Sequence, residues 1–288
     1  MTKNIRFGII LFSKGTRSVW QDIARRVEDL GYDVLTVPDH VSMCAPFPAL
    51  MSAAAVTTRP QLGTMVLATS LYNPALLARD AAQVYELTNG RLELGLGTGW
   101  MAEDFQAAGL PFPSRAGRAE NLEHTTTEVT RMLRDAGHRV PVLIGAGGDR
   151  TLTLAAKHAD IVSIKDAPGI TPPGEPGHNQ LPHGLLAERI GFLRQAAGDR
   201  FDQIELCLVL CSVHITGSAE PDLGMARALY PGLPDEELLR LPGVQHGSEQ
   251  DIADSLRQLR ETRGITYFAV MEYGGNLEAF GKVISQFR

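Results

Sequence analysis

Two side chains suited to proton transfer, Asp39 and His40, directly follow the short apolar run from Val34 to Val37. Imidazole is the side chain whose ordinary pKa best suits proton transfer near neutral pH. If the apolar run is a strand, both residues stand at its carboxyl end, where parallel α/β enzymes place their catalytic groups. We therefore expect a catalytic role for His40, with Asp39 beside it. A structural Asp–His pair that holds a loop is the alternative.

A glycine-rich segment, Gly145-Ala146-Gly147-Gly148, lies between an apolar run and a predicted helix. Free backbone N–H groups at such a turn, together with the helix dipole, attract a phosphate group. Thr151, one turn into the helix, adds a hydroxyl group. The segment indicates a phosphate site, while glycines that serve only to permit a positive φ angle would give the same pattern.

A second glycine-rich segment, Gly95-Leu96-Gly97-Thr98-Gly99, lacks the later glycine of a dinucleotide-binding fingerprint. We interpret it instead as a strand end where Gly97 and Thr98 let a flat ring lie against the backbone. Trp100 would then form a wall beside the ring. A tryptophan buried in the core is the alternative interpretation of Trp100.

These residues are placed by an alternation of strand-like runs and helix-like segments that repeats eight times. The runs lie at 5–11, 34–37, 62–68, 92–96, 141–144, 161–164, 204–215 and 265–270. Apolar strands that each lead into a helix must be buried on both faces, which favours a closed, TIM-type (β/α)8 barrel. We predict one domain over residues 1–288, with a Pro/Gly-rich loop insertion at 168–182, after strand six, that lies over the barrel mouth.

Composition narrows the class of protein. The chain has 33 acidic and 27 basic side chains, a net charge of −6, and no dense run of Lys or Arg, so we expect no nucleic-acid partner. No signal peptide and no apolar stretch of membrane-spanning length is visible, which predicts a cytoplasmic protein without a membrane partner.

Cys44, Cys207 and Cys211 include no CxxC pair, so we expect reduced thiols and no metal site. Even spacing in one strand would put Cys207 and Cys211 on the same buried face.

Several segments taken together resemble the luciferase-like monooxygenase superfamily, and in particular its deazaflavin (coenzyme F420)-dependent oxidoreductase branch. They are VPDH at 37–40, GTMVLATSLYNPALLARDA at 63–81, NGRLELGLGTGW at 89–100 and LIGAGGDRTLTLAAKHADIV at 143–162. Their order along the chain is the order found in the family. The resemblance implies a bacterial-luciferase-like barrel, a homodimer, and a cofactor ring in the barrel mouth.

The resemblance also assigns roles to single residues. It implies that the cofactor phosphate binds at Gly147, Gly148 and Thr151, and that a non-prolyl cis peptide bond between Met65 and Val66 supports the ring. In the family's deazaflavin enzymes a histidine after strand two faces the reactive carbon of the cofactor, and His40 matches that position. Phe12, Ser13, Tyr72 and Trp100 are expected to line the open side of the ring. The positions of Arg150 and Lys165 near strand-end loops suggest that one of them meets the anionic tail of the cofactor, and a solvated surface charge is the alternative for each.

The expected function is an F420-dependent oxidoreductase, in which reduced deazaflavin gives hydride to an activated C=C, C=N or C=O group and His40 gives or takes the proton. An FMN-dependent monooxygenase is the alternative, and a non-catalytic cofactor-binding barrel is a further one. The substrate is a small molecule of unspecified identity. Related sugar-phosphate dehydrogenases carry a Trp shortly after the histidine and a Glu after the GTG segment. This chain has Cys44 and Trp100 there, which predicts a different substrate.

Overall fold

The computed structural model describes residues 4–12, 15–164, 185–215, 221–272 and 275–288. Ser13, Lys165 and the loop insertion expected at 168–182 lie outside these residues. In chain order, the described strands are β1 (Arg6–Ile10), β2 (Val34–Val37), β3 (Gln61–Thr64), β4 (Leu67–Ala68), β5 (Leu92–Gly97), β6 (Val142–Ala146), β7 (Ile161–Ile164), β8 (Glu205–Leu210), β9 (Ser212–Ile215), β10 (Val244–Gly247) and β11 (Ile265–Met271).

Parallel pairing closes most of these strands into one barrel. Neighbouring strands are hydrogen-bonded in the order β3-β2-β1-β11-β8-β7-β6-β5, and β3 also pairs with β5. The last strand in the chain, β11, therefore lies between β1 and β8. The structure confirms the predicted eight-stranded parallel barrel, in which β3 and β4 together occupy the third strand position.

The third strand is interrupted where the family resemblance predicts it. Both β3 and β4 pair with β5, through Leu62 opposite Leu92 and Leu67 opposite Leu96. The peptide bond between them, Met65–Val66, is cis. The expected cis peptide bond is thus present at the expected position.

Helices surround the barrel. They are α1 (Arg17–Asp29), α2 (Pro46–Ala54), α3 (Pro74–Leu87), α4 (Ala102–Ala107), α5 (Arg115–Asp135), α6 (Asp149–His158), α7 (Leu185–Ala197), α8 (Gly224–Leu229), α9 (Asp235–Leu238), α10 (Glu249–Arg263) and α11 (Asn276–Ile284). Asn73 caps α3 through bonds from Ala75 and Leu76, because its side-chain oxygen accepts from their free N–H groups. Within the described ranges, no helix combines the length and the apolar composition needed to cross a membrane.

Two layers of core lie on either side of the strands. The inner layer consists of strand and strand-break residues alone: Ile10, Val34, Met65, Leu143, Ile161, Cys207, Tyr267 and Ala269. The outer layer joins the alternate strand positions to the helices and includes Phe7, Leu35 and Phe280. Because successive side chains of a strand point to opposite faces, most barrel strands contribute to both layers, whereas β5 contributes only to the outer one. The inner layer fills the barrel below the mouth.

Ionic contacts close the amino end of the barrel. Arg6 donates from Nη1 to Glu93 Oε1 at 2.6 Å and from Nη2 to Glu205 Oε2 at 2.6 Å. The guanidinium also lies over the ring of Tyr267, 4.7 Å from its centroid. Burial raises the pKa of the Glu93 carboxyl group, and the charge of Arg6 opposes that effect. One cation thus holds two carboxylates from different strands together.

One predicted strand is wrong in its extent. The apolar run at 204–215 divides at Cys211, whose N–H donates to Gly243 O at 2.8 Å. Strand β8 stays in the barrel, whereas β9 pairs with β10 in a separate two-stranded parallel sheet. Helices α8 and α9, between β9 and β10, were not predicted. Cys207 and Cys211 are both buried, but they pack in different clusters, so the prediction that they share one strand face is wrong.

Candidate active site

His40 is bound by a carboxylate that lies far away in the sequence. Its Nδ1 lies 2.7 Å from Asp104 Oδ2, and Asp104 Oδ1 accepts from Val41 N at 2.9 Å. Asp104 belongs to α4, which follows β5, and its side chain is only 8% exposed, against 16% for that of His40. A carboxylate accepts hydrogen bonds, so the Nδ1 proton of His40 lies in this contact. Nε2, the other ring nitrogen, takes no part in the bond to Asp104.

Sequence reasoning missed Asp104. Helix α4 has 6 residues, too few to show a helical pattern, and 64 residues separate Asp104 from His40. The available signal was an acidic residue beside Phe105, a few positions after the end of a predicted strand. Because both partners stand just beyond strand ends, the closed barrel brings them to the same rim.

Asp39 has hydrogen-bond partners other than His40, although the two are adjacent in sequence. Asp39 Oδ2 accepts from Ala68 N at 3.0 Å, and the Tyr72 hydroxyl donates to the same carboxyl group. Burial raises the pKa of Asp39 and that of Tyr72. The expected catalytic pair is therefore two separate contacts, one that fixes the imidazole and one that ties the end of β2 to β4.

Glycines on β5 and β6 surround Val66 at the base of the mouth. A Cβ atom at Gly95 would lie 1.8 Å from Thr64 O, and one at Gly97 would lie 2.4 Å from Val66 Cγ2. A Cβ atom at Gly145 would lie 3.6 Å from the same methyl group. Close approach of the neighbouring strand thus requires glycine at positions 95 and 97. Thr98 follows β5 and is half-buried.

The floor of the mouth is apolar. Phe12, Val66, Val209 and Met271 are partly buried and pack on the inner core layer. Phe12 follows β1 and Val66 precedes β4, so the floor is formed from several strand ends. Apolar surface of this kind suits a flat ring better than a sugar or a peptide backbone.

The glycine turn after β6 has an internal acceptor. Gly147 N and Gly148 N donate to Thr151 Oγ1 at 3.3 and 3.2 Å, and that hydroxyl donates to Gly148 O at 2.9 Å. In this structure Thr151 therefore accepts from the two N–H groups that we predicted to bind a phosphate. Ala146, in contrast, packs in the outer core layer. The two N–H bonds to Thr151 are longer than the usual N–H···O distance, so they are weak. A charged phosphate oxygen would accept from the same N–H groups more strongly.

An arginine that sequence reasoning missed stands at this turn. A Cβ atom at Gly148 would lie 3.3 Å from Arg115 Nη2, and Arg115 is exposed at the start of α5. Arg150, which was expected to meet an anionic group, instead donates to Glu120 at 3.3 Å and to Ala116 O at 3.4 Å. Of these two arginines, Arg115 is the one that lies beside Gly148.

Trp100 lies at the rim of the mouth. Its side chain is 49% exposed, so the alternative of a core tryptophan is wrong. The indole contacts the His40 imidazole edge-on, with ring centroids 6.0 Å apart and planes at 83°. The Tyr72 hydroxyl donates to Asp39, the residue before His40. Within the described residues, no cluster of three or more His, Cys, Asp or Glu side chains is arranged to hold a metal ion.

Comparison with known sequences gives one family. The model of the luciferase-like monooxygenases matches residues 6–169. Over 114 residues the chain is 33% identical to the 4-hydroxyprotoasukamycin monooxygenase of Streptomyces nodosus subsp. asukaensis, covering 37% of this chain and 31% of that protein. Over 166 residues it is 31% identical to the F420-dependent glucose-6-phosphate dehydrogenase of Intrasporangium calvum, covering 47% and 50%. The chain thus matches half or less of the length of these two relatives.

Solved structures share the fold over the whole chain. The coenzyme F420-dependent tetrahydromethanopterin reductase of Methanopyrus kandleri superposes with a TM-score of 0.73 at 16% identity, covering 99% of this chain and 100% of the other. A monooxygenase from Streptomyces bottropensis superposes with the same TM-score, identity and coverage. At such identities the likeness establishes the barrel architecture and not the reaction.

Proposed function

Because the chain belongs to the luciferase-like monooxygenase family, we propose that it is a coenzyme F420-dependent oxidoreductase acting on an activated C=C, C=N or C=O group. The observation that carries the proposal is the His40–Asp104 contact of 2.7 Å at the rim of the mouth. It provides one oriented acid–base group beside an apolar floor. That is the protein contribution that hydride transfer from a bound cofactor requires.

The residues present fit a flat cofactor with an anionic tail. The partly buried side chains of Val66 and Met271 offer apolar surface for a ring. At the glycine turn, the N–H groups of Gly147 and Gly148 share one acceptor, Thr151 Oγ1, and the guanidinium of Arg115 lies beside Gly148. Donors of this kind bind phosphate oxygens at a helix N-terminus. When bound, the reduced deazaflavin would supply the hydride.

The chain's own residues would handle the proton. Asp104 holds Nδ1 of His40, so Nε2 is the atom that gives the proton to the substrate or takes it back. Asp39 keeps His40 in place by binding Ala68 N, which ties the end of β2 to β4. The roles of the two aspartates are therefore different: Asp104 orients the ring and Asp39 anchors the backbone.

An FMN-dependent monooxygenase is the second candidate. The relative from Streptomyces nodosus subsp. asukaensis, which is 33% identical over 114 residues, is a monooxygenase and supports this alternative. The same apolar floor and the same glycine turn would serve FMN, because the two cofactors share a ring of similar size and a phosphate. A non-catalytic cofactor-binding barrel would use them as well and would lack turnover.

Fluorescence titration with F420 and, separately, with FMN tests the proposal. We expect a micromolar or tighter dissociation constant for F420 and weak binding of FMN. Arg115→Gln should weaken F420 binding by about three- to tenfold, because one charge-assisted contact at an exposed site is lost. Arg150→Gln, whose arginine pairs with Glu120, is the matched control and should change little.

The other results of this titration have equally definite meanings. Tight FMN binding with weak F420 binding would replace the proposal by the monooxygenase. Binding of neither cofactor would overturn the assignment of an oxidoreductase. Equal loss of affinity in both arginine variants would mean that the glycine turn is not the anion site.

A further inference from the structure

Large exposed apolar side chains are concentrated in the two chain segments that carry His40 and Asp104. Within the described ranges, the most exposed of them are Val19, Val41, Leu76, Leu87, Trp100, Leu110 and Phe112. Val19, Leu76 and Leu87 are scattered over the outer helices α1 and α3. The other four belong to the two chain segments that supply His40 and Asp104. We call these four, Val41, Trp100, Leu110 and Phe112, the apolar rim.

Val41 and Trp100 contact the His40–Asp104 pair directly, whereas Leu110 and Phe112 are connected to it through Phe105. Val41 N donates to Asp104 Oδ1 at 2.9 Å, and the Trp100 indole lies edge-on to His40. Phe105, which follows Asp104 and is 1% exposed, contacts the ring of Phe112 at a centroid distance of 5.0 Å. The rim and the candidate acid–base group are therefore parts of one packed unit.

The ring of Phe112 is contacted by two side chains, although the residue is 42% exposed. The guanidinium of Arg118 lies over its ring, 4.3 Å from the centroid, and Arg118 Nη1 donates to Pro113 O at 2.7 Å. Phe105 supports the ring from another side. An aromatic side chain that is already fixed loses little conformational freedom when a ligand covers it, so its exposed surface is ready for binding. Val41, at 50% exposure, adds a stiff β-branched contact.

We propose that the apolar rim binds the body of the substrate, and that this substrate is a neutral compound with an aromatic or fused-ring body and a carbonyl or conjugated C=C group beside His40. The position of the reacting group rests on the proposed function; the binding of the apolar body does not. The contact between Trp100 and His40 supports this occupant, because an apolar molecule that covers Trp100 has one end at the acid–base group. A sugar phosphate would leave the rim exposed to water.

A series of methyl ketones with the same carbonyl group and a growing ring measures this preference. Dissociation constants for acetone, acetophenone and 2-acetonaphthone are determined by calorimetry, without turnover. We expect the affinity to rise along the series, by about five- to tenfold for the second ring, because more apolar surface leaves water. Affinity that does not change along the series would overturn the proposal.

Variants locate the binding surface. Phe112→Ser should weaken 2-acetonaphthone binding by about tenfold and acetone binding hardly at all. Leu87→Ser is the matched control, because Leu87 is 61% exposed on α3, away from the rim. Val41→Ser provides a second rim variant if Phe112→Ser lowers the melting temperature. Equal ketone affinity in rim and control variants would refute the assignment of this surface.

A second copy of the chain is the competing occupant, and fluorescence separates it from a substrate. The chain has two tryptophans, and Trp20 is buried with its indole N–H donating to Ala49 O at 2.8 Å. Quenching by acrylamide therefore reports on Trp100. We expect strong quenching that 2-acetonaphthone reduces. Weak quenching, together with a dimer that dissociates in Phe112→Ser by sedimentation, would overturn the substrate proposal.

The test stands apart from the cofactor titration. If F420 binds but the ketone series does not discriminate, the proposed function remains and the rim proposal fails. If neither cofactor binds but the ketones follow the expected order, the rim proposal for the apolar body stands and the proposed reaction fails.

Discussion

The two ends of the barrel both collect charged side chains but use them differently. At the amino end, Arg6 donates to Glu93 and Glu205, and the three side chains are 26%, 6% and 16% exposed. At the carboxyl end, Asp104 holds one nitrogen of His40, and the other is left for a further partner. Trp100, half-exposed, lies against that same imidazole. The ion pairs of Arg6 hold three barrel strands together, whereas an imidazole that is fixed at one nitrogen can exchange a proton at the other.

Replacement of His40 should give the largest effect on turnover. In His40→Asn the amide can still donate to Asp104, but the variant has no group that exchanges a proton near neutral pH. We expect kcat to fall on the order of 10²- to 10⁴-fold, with the cofactor that the titration identifies. The melting temperature should match that of the wild type. Turnover within twofold of wild type would remove His40 from the acid–base role.

Replacement of Arg6 should affect folding and leave the mouth unchanged. Arg6→Met removes the cation between Glu93 and Glu205, so one buried and one half-buried carboxylate are left without it. We expect the free energy of unfolding to fall by about 3–5 kcal/mol in denaturant titrations, with cofactor affinity unaltered. Arg25→Met, which breaks an exposed pair with Asp22, should cost about 0–1 kcal/mol. Loss of cofactor affinity in Arg6→Met would contradict the separation of the two ends.

Asp104 tests whether the imidazole must be oriented. In Asp104→Asn the side chain can donate or accept at His40 Nδ1, so the ring is no longer held in one tautomer. Contacting residues couple by roughly 0.5–3 kcal/mol, and we expect kcat to fall by up to about a hundredfold, less than in His40→Asn.

Two further measurements exclude a merely structural role for Asp104. The ¹⁵N spectrum of His40 should show the Nδ1–H form in the wild type and a mixture of tautomers in Asp104→Asn. The double variant with His40→Asn should turn over no more slowly than His40→Asn alone. Additive losses would mean that Asp104 acts independently of His40.

Asp39 should give the smallest effect, and a pH-dependent one. Burial raises the pKa of Asp39 in the folded protein, so its ionisation opposes folding. Below the unfolded-state pKa of about 4, Asp39 is protonated in both the folded and the unfolded protein, and the free energy of unfolding is not reduced. As the pH rises through the folded-state pKa, the free energy of unfolding falls. Asp39→Asn should therefore gain stability relative to wild type between pH 4 and neutrality, by denaturant unfolding at several pH values. A relative loss over this range would reverse the inferred sign.

The sequence predicted the barrel well because each strand is buried on both faces and reads as an apolar run. The predicted extent of the strand at 204–215 was wrong, because the apolar run continues past Cys211 into β9. Apolar character alone does not show that β9 pairs with β10 and not with a barrel strand. His40 and the glycine turn were found because both directly follow strands. Asp104 and Arg115 were missed because their contacts depend on how loops after β5 fold back over the rim. The cis peptide bond at Met65–Val66 came from the family resemblance alone.

The position of β11 between β1 and β8 has a consequence for synthesis on the ribosome. Translation supplies β11 last among the barrel strands, so the nascent chain carries two unpaired strand edges while residues 211–264 are added. At about 5–20 residues per second this interval lasts several seconds, long enough for the open sheet to meet other chains. Edges of this kind pair readily with foreign strands. Protection by a chaperone during elongation would therefore matter more for this barrel than for a fold in which each new strand pairs only with the strand synthesised just before it.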